Sequence, residues 1–196
     1  MDPTPETLLA AVDSGDSNQV NRAVDTVKGL DPRERATLLS ACFESCRELY
    51  DVSDGYQRQS VVRFLDALNP RLHLGNAYGS VEQRTLDTPI GDATSDYRDA
   101  LVGVYLRAIQ DDDGRVRLAA SRGLSHLATE YEICGEDAHV EALYSSLDEL
   151  AADYSGTHRK HLVEARDQVG MHLDDAENDL QSIMQRFADE MHARDE

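Results

Sequence analysis

Residues 111–127 read DDDGRVRLAASRGLSHL, an acidic turn followed by the opening of an amphipathic helix. From Asp113 the stretch fits the pattern D-G-x-x-R-x-x-x-x-R-x-L-x-x-L, with Gly114, Arg117, Arg122, Leu124 and Leu127 at the named positions. The same pattern starts at Asp54, with Gly55, Arg58, Arg63, Leu65 and Leu68. A worn third copy starts at Ser155, with Gly156, Arg159, Leu162 and Val163. In each copy a turn residue able to cap a helix precedes leucine or valine at helical spacing. Three related stretches in one chain predict one folding unit used repeatedly.

Outward from these turns the chain reads as helices. Thr4-Pro5-Glu6 places a capping hydroxyl before a proline at the first helical position. Ser14-Gly15-Asp16 breaks that helix, and the next carries Val20, Ala23, Val24 and Val27, closed by Lys28-Gly29. Asp31, Pro32 and Glu34 make a capping box ahead of Leu38, Leu39, Cys42, Phe43, Cys46 and Leu49. That face is wide, as in a helix packed on two sides. Asn69-Pro70 stops the helix after the first repeated turn. Residues 69–94 lack a clear period and read as a long connection, with a small hairpin over RLHLGNAYGSVEQ as one way to fold it. Ser95-Asp96 opens the helix before the central turn, and Cys134-Gly135 ends the one after it. Asp137 starts another, with Val140, Leu143, Leu147 and Leu150. A helix from about Thr157 carries Leu162, Val169 and Leu173, and Asp174-Asp175 caps a last one with Leu180, Ile183, Phe187 and Met191. The expectation is an all-α chain of about nine helices joined by short turns.

The two clean copies start 59 residues apart and the third 42 further on. Removing the excess that falls in the 69–94 connection leaves a period near forty. Helix pairs at about 40–47 residues resemble HEAT and armadillo repeats. The resemblance implies an α-α superhelix of stacked antiparallel helix pairs, covering roughly residues 36–170. It divides the chain into an N-terminal capping pair (1–30), repeats at 31–68, 95–130 and 136–173, and a C-terminal capping helix (174–196). It also implies that Asp54 and Asp113, with Arg58 and Arg117, form structural pairs between repeats, and that the second helices line a concave binding face.

The chain has 196 residues and a formal net charge of −19, with 40% hydrophobic residues. Only Lys28 and Lys160 are lysines. The acid is spread over nearly every segment rather than gathered in a tail, which suits an extreme halophile better than a dedicated basic ligand. No long apolar run or basic leader marks a membrane span or a secretory signal, so a cytoplasmic protein with no membrane partner is expected. Against this background the helices after the three turns are basic: net +1 over 56–68, +3 over 114–128 and +1 over 157–168.

These helices nominate Arg58, Arg63, Arg117, Arg122 and Arg159 as a groove for an acidic protein partner. The competing reading is a ladder of arginines bonded to the turns of adjacent repeats, for which a bidentate guanidinium is well suited. Nucleic acid fits poorly, because phosphate contacts weaken steeply with salt and the chain has no tryptophan. The apolar face from Leu180 to Met191 could support a homodimer.

Catalytic patterns are weak. His158 and His161 with His172 lack the H-E-x-x-H spacing of a helical metal site and read as surface histidines. Cys42 and Cys46 read as small core residues, and Cys134 as structural. The Asp111–Asp113 run lacks the ligand alternation of a calcium loop. No metal or cofactor is expected. The function expected is a non-catalytic interaction module. The alternative is an enzyme or accessory subunit holding an anionic or phosphorylated small molecule in the same groove.

Overall fold

The computed structural model describes residues 3–71 and 90–173. The described residues are all-α: α1 (Pro5–Asp13), α2 (Ser17–Lys28), α3 (Pro32–Val52), α4 (Gly55–Leu68), α5 (Ile90–Ala108), α6 (Gly114–Cys134), α7 (Asp137–Asp153) and a helix over 156–173, here α8. The capping helix expected at 174–196, its Leu180–Met191 face and the hairpin expected near residue 80 lie outside the described residues. The helix starts follow the local chemistry. Thr4 caps α1 with Pro5 in its first turn. Asp31 accepts from Arg33 N and Glu34 N while the Glu34 carboxylate reaches back to Asp31 N at 3.1 Å, closing the capping box. Gly135 takes the left-handed conformation after α6.

One boundary differs from the sequence expectation. Helix α5 begins at Ile90, inside the stretch read as a connection to 94. Gly91 and Thr94 are weak helix formers, and their low propensity hid the first turn.

The helices pack in pairs and in two rows. Short turns join α1 to α2, α3 to α4 and α5 to α6, and each pair is in contact. In one row α4 lies between α2 and α6, and the α4–α6 seam is the most extensive among the seven helices from α1 to α7. In the other row α1 touches α3. Helix α8 extends the first row: Ser121 of α6 bonds Gln168 at 3.2 Å and Arg117 bonds His161 at 2.8 Å. Arg166 of α8 bonds Asp148 of α7 at 2.7 Å and closes the last pair. Helix α4 buries Val61, Val62, Phe64, Leu65, Ala67 and Leu68, apolar on both flanks because it has neighbours on both. Val116, Ala120, Leu124 and Leu127 of α6 continue the same core.

The repeated aspartate–glycine pairs have a packing reason. A side chain on Gly55 would put its Cβ 2.7 Å from Asp113 Cβ, and one on Gly114 would lie 3.7 Å from the His161 ring. Each turn glycine is thus where the next repeat's turn or second helix comes close. We predict that Gly55→Ala lowers stability by about 1–2 kcal/mol through this overlap, although alanine is the better helix former. Urea unfolding measures it, and an unchanged or higher midpoint would remove this account of the glycine.

Candidate functional site along the second helices

The arginines nominated from sequence divide into two sets. Those four residues after each turn aspartate enter the seams. Arg58 donates to Asp111 Oδ2 at 3.0 Å and to the Tyr50 carbonyl at 3.1 Å. Arg117 is 4% exposed and donates to the carbonyls of Asp111 and Asp112 at 2.6 and 2.8 Å, with His158 Nε2 at 3.2 Å. Its Nε donates to His161 Nδ1. Burial and the neighbouring Arg117 charge hold His161 below the usual imidazole pKa, so its ring is a neutral acceptor. The remaining three face outward. Arg63 reaches Asn21 of α2 at 2.9 Å. Arg122 and Arg159 are exposed and have no polar partner among the described residues.

The inter-repeat pairing therefore differs in its acid. Asp54 caps α4 by accepting from Gln57 N at 3.1 Å. Asp113 caps α6 and pairs with Arg115, whose guanidinium lowers its carboxyl to about 2. The acid that crosses the seam is Asp111, two residues earlier. Its Oδ1 accepts from Asp113 N at 2.8 Å, and its Oδ2 accepts from Arg58 and from the Tyr50 hydroxyl at 3.2 Å. The adjacent Asp112 side chain is fully exposed. His158 and His161, read as surface residues, belong to the α6–α8 seam because Arg117 has no carboxylate there to meet.

A second polar cluster was not foreseen. At the far end of the α4–α6 seam, Glu130 is 1% exposed and its Oε1 accepts from Asn69 Nδ2 at 2.6 Å. Arg71 Nη2 lies 3.0 Å from Asp66 Oδ1, and His126 Nδ1 lies 2.8 Å from the same oxygen. Arg71 has φ +49, an uncommon conformation for a residue with a side chain. Tyr105 of α5, buried against Gly123, has a hydroxyl without a hydrogen-bond partner in the field of Asp66 and Glu130. Burial opposes the Asp66 charge, but the hydrogen bond and charge of His126, with Arg71, hold its carboxyl below the ordinary value. Glu130 goes the other way. Burial pushes it up to about 7, against Arg71, Arg98 and the Asn69 amide, with Asp66 adding to the rise. One signal was present in the sequence: Glu130 falls on the apolar period that runs through Leu124 and Leu127 to Tyr131.

The cysteines sit as the sequence suggests. Cys42 and Cys46 are buried in α3, and burial raises both thiols, Cys42 to about 11. Cys134 Sγ accepts weakly from Arg98 at 3.8 Å. Among the described residues no group of histidine, cysteine and acid is arranged to hold a metal ion, and no helix is long and apolar enough to cross a membrane.

The solvent face of α6 carries Arg115, Leu118, Arg122, Ser125 and Thr129 at three- and four-residue spacing, between α4 and α8. Arg115 stacks on Tyr56 of α4 with 5.6 Å from guanidinium to ring centre. Leu118 is 48% exposed. Compared with known protein families, characterised proteins and solved structures, the chain gives no significant match.

Two predictions follow from charge. Asp111→Ala removes the acid that three donors share and strands the half-buried Arg58, lowering stability by about 2–4 kcal/mol, whereas Asp112→Ala changes it by less than about 0.5. Equal effects at the two positions in urea would overturn the assignment. For Glu130 the folded pKa lies above the unfolded value of about 4.5, so the folded state holds the extra proton. Its ionisation therefore subtracts stability as pH rises from about 4.5 to about 7, and the loss is complete above that. Glu130→Gln keeps the Asn69 bond and should be more stable than the parent at pH 8 by about 1–3 kcal/mol, with the difference vanishing below about pH 4.5. A parent that is the more stable at pH 8 would show that Arg71 and Arg98 outweigh burial.

Proposed function

We propose that the chain is a non-catalytic protein-interaction module built of HEAT-like helix pairs. In this reading it acts in the cytoplasm of a salt-adapted organism and takes a protein partner on the row α4–α6–α8. One observation carries the proposal. With Arg58 and Arg117 committed to the seams, Arg122, one turn from the half-exposed Leu118, and Arg159 on α8 have no polar partner among the described residues, in a chain of net charge −19. Unneutralised arginine next to exposed apolar surface is the composition of a contact patch. It suits an acidic segment of a partner that also offers an apolar side chain. The apolar share of such a contact strengthens with salting-out ions while the ionic share weakens, so binding persists in high salt through Leu118 and Tyr56 more than through the guanidinium groups.

The alternative reading, an enzyme or accessory subunit for an anionic small molecule, is favoured by Glu130 alone. A buried carboxyl raised to about 7 close to Asp66, Arg71 and His126 is the kind of group that catalytic sites use. Its oxygen is already bonded by Asn69 and nearly closed to solvent, which fits a structural acid better than a reacting one.

The test is a pulldown in high KCl with the parent chain, Arg122→Glu/Arg159→Glu, and Arg47→Glu/Arg107→Glu in the other row. Loss of partners by the first variant and their retention by the second is the expected result. Identical partner sets for all three would remove the interaction face from α6 and α8.

A further inference from the structure

The two ends of the α6–α8 seam hold histidines in opposite chemical settings. At one end His161 Nδ1 accepts from Arg117 Nε at 2.8 Å. At the other, His172 Nδ1 lies 2.6 Å from Glu132 Oε2, and Thr129 Oγ1 lies 3.5 Å from its second nitrogen. Because His161 Nδ1 accepts, the neutral ring carries its hydrogen on Nε2, and a further proton can go only to Nδ1. Two donors then face each other, and a second cation stands against a guanidinium that is 4% exposed. A proton on His172 does the reverse, since it completes an ion pair with a carboxylate already in place. Acid therefore opposes one end of the seam and strengthens the other.

The surroundings of His161 are poorly arranged to take up a charge. From α6 it faces Arg117, which the carbonyls of Asp111 and Asp112 hold in place. From α8 itself Lys160, and His158 when protonated, repel a further cation, while Glu164 favours it but lies 3.6 Å from Lys160. The end of α7 contributes the uncharged Tyr154 ring, stacked on His158 at 5.6 Å. The Asp112 carboxylate is fully exposed and lies 3.7 Å from His158 Nε2.

We propose that α8 is an acid-released lever: when His161 takes a proton, the first half of α8 leaves α6, while the His172–Glu132 pair and the buried Val169 keep its far end docked. The packing suits a partial release. Of residues 156–163 only Leu162 is buried, and segments with few buried contacts open locally at low cost. Arg117 keeps the two carbonyls of its own turn when the ring departs, so opening does not strand it. Arg159 lies two residues before His161 and leaves the row with it, so under the interaction reading acid would also alter the partner face. The lever itself needs no partner, and its failure would leave that reading untouched.

The folded His161 ring sits below its unfolded value of 6.5. Docking of this segment is therefore fully favoured above about pH 6.5 and is lost as pH falls below it, by up to about tenfold in the opening constant for each unit. Glu130 acts in the opposite sense over an overlapping range, so unfolding of the whole chain in urea mixes the two. Amide hydrogen exchange of the full chain, corrected for its intrinsic pH dependence, gives the local measure at about pH 7.5 and about pH 5. His161→Asn places a neutral oxygen near Nδ1 and cannot take the proton. His158→Gln removes the neighbouring ring.

The expected result is that residues 160–165 of the parent lose protection by at least about tenfold at the lower pH while 168–173 keep theirs. His161→Asn abolishes that loss and His158→Gln leaves it. Equal protection of 160–165 at both pH values, a loss spread over all of α8, a loss that persists in His161→Asn, or one abolished by His158→Gln would each overturn the proposal. Nitrogen NMR of the parent's imidazoles is a check that needs no variant. His161 Nδ1 has to gain its proton where protection falls, and a protonated ring with 160–165 still protected would also overturn it.

Discussion

The carboxylate of Asp111 is the point on which the stacking depends. Its side chain is 5% exposed, and a charge-bearing group so placed is costly unless its oxygens are bonded. The three donors come from three places in the chain: the amide of its own turn, Arg58 of the preceding second helix, and the Tyr50 hydroxyl near the end of the preceding first helix. They converge only when one helix pair sits on the next in a single register. A shift of one turn would leave both an acid and a guanidinium buried without partners. The apolar core alone would tolerate such a shift far better, because leucine and valine on neighbouring turns of α4 and α6 are nearly interchangeable. Hydrophobic burial stacks the pairs, and Asp111 decides where they stop.

The next seam solves the same problem with different chemistry. Arg117 holds the position equivalent to Arg58, but Asp153, the residue of the third turn equivalent to Asp111, is exposed and makes no bond to it. Among the described residues no carboxylate bonds to Arg117. Backbone carbonyls of its own turn and the neutral ring of His161 accept its hydrogen bonds instead. Substituting neutral acceptors for an acid leaves a cation in place with no compensating charge. Multiple short hydrogen bonds make that bearable, and charge-assisted bonds are the strong ones.

What was legible in the sequence follows from how far away the partners lie. Helix starts at Thr4, Asp31, Asp54 and Asp113 were readable because a cap and its amides are two or three residues apart. The repeat was readable because its glycines and arginines recur at fixed spacing. The acids at 111, 112 and 113 look alike in the sequence, yet one is a hub, one is fully solvated and one is a cap. Nothing local separates them, since Asp111 meets residues 53 and 61 positions away. The Asn69–Glu130 bond spans 61 positions, and Asn69 read only as a helix stop. His161 was unreadable for the same reason, being defined by an arginine 44 residues earlier. Glu130 carried a local signal, an acid on an apolar stripe, but the sequence reading did not single it out.

The distribution of charge separates the parts of the molecule that depend on salt from those that do not. Around 1 M salt the screening length is about 3 Å, which removes most of the repulsion among surface acids and most of the attraction in exposed pairs such as Arg47–Glu44. The bonds that set the register are placed differently. Arg117 is almost fully buried, and the Asp111 oxygens are shielded by Arg58 and Tyr50, so mobile ions reach them poorly. Salting-out ions meanwhile strengthen the apolar core that joins α4 to α6. Rising salt thus loosens contacts on the outside while the seams keep their alignment. An acidic surface and cations turned inward are two sides of one arrangement. The arginines drawn into the seams are withdrawn from the surface, which leaves the exterior more uniformly acidic and makes exposed arginines with no hydrogen-bonded partner among the described residues, such as Arg122 and Arg159, stand out.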